Sequence, residues 1–153
     1  MKKKAKKPLF DSRAPGGKMI VYGAVLMILG AIPNAYWSWR LSLVVSMSDG
    51  AVGAGDIFGP LLSYCLQVAL SLLVALDGIN NRNRPSKGRS VMINAICVAA
   101  ISIFLLIQVL QGEGTTNVFS NALVAGVSIA GAVLMFIGGF KNRKVFGNGK
   151  SAK

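Results

Sequence analysis

The sequence predicts an all-α membrane protein, an up-down bundle of four transmembrane helices with both termini on the cytoplasmic side. Three observations carry this. Four runs of about 20 residues hold no charge, 19–39, 57–76, 91–110 and 118–140, and about 20 helical residues cross a ~30 Å hydrocarbon core. The chain is both apolar and basic, with 53% hydrophobic residues, only 14% charged and a net charge of +12, where soluble domains carry about 25% charged residues. Every basic residue except Arg40 falls in three segments that four spans would bring to one side. Helices buried in a soluble protein would show polar faces at helical spacing, and "VMINAICVAAISIFLLIQVL" shows none.

The elements follow in order. Residues 1–18, "MKKKAKKPLFDSRAPGGK", read as a basic cytoplasmic tail too poor in apolar residues to fold alone. They do not open a cleaved signal peptide. The apolar run behind them is too long, and a cut after Ala35 would put Pro33 where a small residue is needed. The transmembrane domain then occupies residues 19–140. Helix one ends on Tyr36, Trp37 and Trp39, whose amphipathic rings favour the membrane interface. Arg40 comes next and can snorkel outward. Pro33 predicts a kink that frees backbone groups near Asn34. The outer link 41–55 starts apolar and turns Gly-rich. Helix two opens with Asp56 as cap and Pro60 in its first turn, and Gly78 is the expected terminator.

"NNRNRPSKGR", residues 80–89, puts four positive charges, a proline and a glycine between two apolar runs. Short loops rich in Lys and Arg stay on the cytoplasmic side, so this is the cytoplasmic hairpin between helices two and three. Its basic residues also offset Asp77 at an unfavourable helix end. Helices three and four are joined by the short outer link "QGEGTTN". Residues 141–153 form a second basic tail. The outer side holds only Arg40, Asp49, Asp56 and Glu113 as charged residues. The expected location is therefore the cytoplasmic (plasma) membrane, multi-pass, with both termini inside. The compact chain, with no N-x-S/T site in its outer links, points to a prokaryotic cell.

Within lipid, helices associate by close backbone approach over small residues and by interhelical hydrogen bonds. Gly23 and Gly30 on helix one, and Ala122, Gly126 and Ala130 on helix four, are the candidate packing residues. They serve either the bundle itself or a dimer through helix four. Asn34, Ser63, Gln67, Gln108 and Asn121 are the polar intramembrane residues. They either line a shallow outward-facing cavity or hydrogen-bond between helices. Cys65 and Cys97 read as small packing residues at depths too different for a disulfide.

Chemistry is scarce. The chain has no histidine, so it can form no Ser–His or Cys–His pair. No acid pair lies within the spans for proton transfer, no ligand set suits zinc, and no phosphate-binding loop follows a strand. No catalytic, metal or cofactor residue is assigned. Span count and orientation match those of the small multidrug exporters. The glutamate within helix one on which those depend has no counterpart in "MIVYGAVLMILGAIPNAYW", so no membership is read. The expected function is that of a non-enzymatic accessory or scaffolding subunit acting through helix–helix contacts. The alternative is a small oligomeric transporter or holin-like pore. Expected partners are membrane lipids, with anionic headgroups at the cytoplasmic face, and a second copy or another membrane protein. Basic tails alone carry no base readout, so nucleic acid is not expected.

Overall fold

A computed structural model describes residues 9–48, 54–111 and 118–151, and the regular structure among them is entirely helical. The helices are α1 (Gly17–Ser48), α2 (Ala54–Asn81), α3 (Gly88–Gln111) and α4 (Val118–Ser151), with a 3₁₀ turn at Pro85–Lys87 leading into α3. Each extends beyond its charge-free run. Absence of charge marks what lipid tolerates, whereas a helix continues until a breaker stops it. α1 passes through Pro33 as one helix. α4 runs on through its basic segment to Ser151.

The expected end of α2 at Gly78 is not where that helix ends. Gly78 is buried in the last turn of α2, three residues short of its end at Asn81, with Met135 Cε packed where a side chain would stand and Ile20 Cγ2 close by. Its role is close packing rather than a left-handed cap. The chain reverses at 82–84, and Pro85, which needs no amide partner, opens the 3₁₀ turn.

α4 packs along both α1 and α3, and α1 packs along α2. The α2–α3 contact is the smallest of these neighbour contacts. The register shows α1 antiparallel to α4, with Gly16 against Gly138, Gly23 against Gly131 and Gly30 against Ser128. α3 is also antiparallel to α4, with Gly88 against Gly139 and Ser102 against Ser128. The segment before α1, the turn after α2 and the later part of α4 therefore meet at one end. That end, the basic end, gathers Arg13, Lys18, Arg82, Arg84, Lys87, Arg89, Lys141, Arg143 and Lys144.

The α1–α4 seam is a backbone contact. A methyl group on Gly23 would stand 2.5 Å from the Gly131 carbonyl oxygen and 2.6 Å from the Met135 nitrogen. One on Gly30 would stand 2.5 Å from the Ser128 nitrogen. Neither position can hold a side chain unless the helices part.

The core is small and flexible in composition: Ile20, Ala24, Met27, Ala75, Val91, Ala95, Val98, Ala132 and Met135. Many of the large apolar residues lie outside. Tyr22, Leu29, Leu62, Leu66, Leu73, Ile93, Phe104 and Phe140 are all half exposed or more. A water-soluble domain does the reverse. Two stretches, Pro85–Phe104 and Ala122–Gly147, are long and apolar enough to cross a membrane. Gly17–Pro33 and Cys65–Asn81 are apolar but shorter within the described residues.

Candidate functional site

Three features arise from this packing. The first is at the basic end. The sequence suggested a structureless tail there, but residues from Leu9 onward are fastened across the helices. Asn142, fully buried on α4, accepts the Gly16 N–H at 2.8 Å and donates to the Arg82 carbonyl at 3.2 Å. It thus supplies a partner to a backbone donor at the start of α1, a need every helix N-terminus has. Arg82 donates from Nε to the Leu9 carbonyl at 2.8 Å and from Nη1 to the Ile79 carbonyl at 2.6 Å. Asn83 Oδ1 accepts the Asp11 N–H at 3.0 Å. Asp11 Oδ1 in turn accepts the Arg13 N–H at 2.9 Å, closing a side-chain turn. Asp77 is held by two amides, Asn81 Nδ2 at 2.7 Å and Asn94 Nδ2 at 2.9 Å, the latter tying α2 to α3. The loop identified from its charge is therefore also a clasp.

The second feature lies inside the bundle, beyond the apolar core. Ser102 on α3 and Ser128 on α4 are buried and share a hydrogen bond, Oγ to Oγ at 3.3 Å. On α2 the inward stripe carries Gln67, Ser71, Ala75 and Gly78, all buried. Depth follows from the register. Gly78 meets Ile20. Eleven residues onward, roughly 16 Å along each helix, Gln67 stands level with Ala31. Ala31 is next to Gly30, and Gly30 abuts Ser128. Gln67 and the serine pair thus occupy one transverse layer to within about a helical turn, with Ser71 one turn nearer the basic end. Gln67 is only 4% exposed, and neither Oε1 nor Nε2 of its side chain has a hydrogen-bond partner. An amide buried in this way costs about 1–3 kcal/mol by mutational measures.

The third feature is the outer surface. Gly126 and Ala130 are exposed and Ala122 is half-buried. A methyl group on Gly126 would meet nothing within 4 Å. Among the predicted packing residues, Gly23 and Gly30 form the seam with α4. The partners α4 offers there are Ser128, Gly131, Met135 and Gly138, while Gly126 and Ala130 face away. Beside Tyr36 and Trp39, a groove of about 340 Å³ runs between α1 and α2, floored by Leu61, Cys65, Val68, Ala69 and Leu72. Cys65 and Cys97, expected as packing residues, are both exposed with free thiols.

Comparison with known proteins gives no match. No protein-family model, curated protein or solved structure is similar to this chain.

Of the five polar residues singled out from sequence, the structure places Gln67 in the interior. The side chains of Asn34, Ser63, Gln108 and Asn121 lie outside the described residues. Sequence reading missed Ser71, Ser102, Ser128 and Asn142. A serine in an apolar helix can satisfy itself on its own backbone, so it gives little signal. Ser71 could have been found, since it follows Gln67 by four residues on the same face. Among the described residues no three His, Cys, Asp or Glu side chains gather as a metal-binding group.

Proposed function

We propose that this chain is a four-span protein of the cytoplasmic membrane with both termini inside. In this reading it works without catalysis, as a small accessory or scaffolding subunit that presents a helix face to another membrane protein or to a second copy. The exterior distribution of large apolar residues supports lipid as its surroundings. The meeting of three basic segments at one end supports the orientation, because all of them would then face the cytoplasm. Anionic headgroups are the lipid partners that such an end attracts.

One observation carries the scaffolding role. α4 has two sets of small residues. The set around Gly131 and Gly138 is consumed by α1, whereas Gly126 has open space around it. A bundle that needed only to hold itself together would not require the second set. The test is disulfide crosslinking in native membranes, in a background with Cys65 and Cys97 replaced by alanine. Gly126→Cys should yield a crosslinked product, either a dimer or an adduct with a different protein. Ala24→Cys, at a buried core position, should yield neither. A wholly monomeric Gly126→Cys chain would refute the role. Orientation is tested separately with Ser86→Cys, which should resist an impermeant thiol reagent in intact cells and react after lysis.

The unpartnered amide of Gln67 favours a second reading, a small oligomeric transporter or pore. Replacing Gln67 by leucine would then change solute flux, whereas in a scaffold it would alter only stability.

A further inference from the structure

We propose that the layer formed by Gln67 and the Ser102–Ser128 pair is a binding site for a small uncharged molecule that both donates and accepts hydrogen bonds. The site does not depend on what docks against α4, so it stands or falls apart from the scaffolding role.

The argument begins with Gln67. Its side chain has two N–H donors and a carbonyl acceptor. Both polar atoms are withdrawn from the surface and neither is bonded within the protein. Glutamine on the inward stripe of a helix usually bonds across to a neighbour. Here the polar pair at the same depth in the bundle is already engaged with itself, Ser102 Oγ to Ser128 Oγ. That leaves the donors and the acceptor of one amide available together, within about a helical turn in depth of two hydroxyls that retain further capacity. A group that only accepts, or only donates, would leave half the amide unmet. Water, an alcohol or a primary amide would satisfy both atoms at once.

Charge is excluded by the surroundings. The buried polar side chains among the described residues are Gln67, Ser71, Asn81, Ser102, Ser128 and Asn142, all neutral. An ion in this layer would find no opposite charge to offset its lost hydration. Access has a structural basis too. α2 and α3 touch least of the neighbouring pairs, and the contact identified between them, Asp77 with Asn94, lies toward the basic end. The clasp closes that end.

The test uses the full chain, labelled with ¹⁵N-glutamine, in phosphatidylethanolamine/phosphatidylglycerol vesicles under magic-angle-spinning NMR. The chain has three glutamines, Gln67, Gln108 and Gln111, so three side-chain amide signals are expected. The one lost in Gln67→Leu belongs to Gln67. Should that variant fail to fold, Gln67→Asn removes the same glutamine signal while keeping an amide. Polarisation transfer from water to the Gln67 amide, unchanged by additives, identifies water as the occupant. A shift of that signal alone on adding formamide or glycerol identifies a small solute. Either result supports the site. Absence of both transfer and shift overturns it, as does a dipolar contact that pairs Nε2 with a protein carbonyl.

Discussion

The α1–α4 seam gives the sharpest quantitative prediction. In Gly30→Ala the new methyl carbon would stand 2.5 Å from the Ser128 nitrogen and 2.8 Å from both its Cα and Cβ. None of these is the mobile tip of a side chain. Favourable carbon contacts lie near 3.5–4.0 Å, so the two backbones must separate by about 1 Å there. Overpacking of this kind costs about 1–3 kcal/mol, and alanine recovers up to about 1 kcal/mol through its better helix preference. The expected net loss is about 1–2 kcal/mol. Gly23→Ala should lose a similar amount. Because both substitutions push the same pair of helices apart, the double variant should lose less than the sum. Gly126→Ala gains the helix preference and meets no neighbour, so it should be neutral or slightly stabilising. The assay is reversible unfolding in mixed micelles, titrated with SDS and followed by tryptophan fluorescence. Gly30→Ala matching the parent chain would refute the seam, and so would Gly126→Ala proving as damaging as Gly30→Ala.

The same titration checks three further expectations. Gly78→Ala should cost less than Gly30→Ala, under about 1 kcal/mol, because its methyl meets the flexible end of Met135; Met135→Ala should then make Gly78→Ala harmless. Ser102→Ala and Ser128→Ala should show a coupling of about 0.6 kcal/mol in a double-mutant cycle, and a coupling of zero would remove their hydrogen bond from the account. Asn142→Ala strands the buried Gly16 N–H and should cost about 1–3 kcal/mol. In the same variant, trypsin should cut sooner at Arg13 and Lys18, and unchanged cleavage would mean that the clasp does not hold the segment.

Much of the helical layout was legible in the residues because hydropathy and charge impose coarse rules. Each described helix contains or borders a run free of charge, and the clustering of Lys and Arg anticipated which segments would meet. Less legible was which side of a helix faces which neighbour. On α4, Ala122, Gly126 and Ala130 repeat every four residues, while Ser128, Gly131, Met135 and Gly138 recur at spacings of three and four, in a helix whose whole central stretch is apolar. Spacing reveals that such stripes exist, but it contains no term for the partner helix. The choice between them depends on Gly23 and Gly30 of α1, more than 90 residues earlier in the chain, whose backbone can be approached only along one line. Polar residues escaped for the opposite reason. Asn142 sits among Lys141, Arg143 and Lys144, where composition marks it as part of a solvated tail. Only the return of the chain ahead of α1 buries it, since Gly16 passes directly over Gly138 on the preceding turn of α4. A single side chain thereby joins three segments that the charge pattern had merely placed on the same side, and its effect on stability is set by that long-range crossing rather than by its neighbours in sequence.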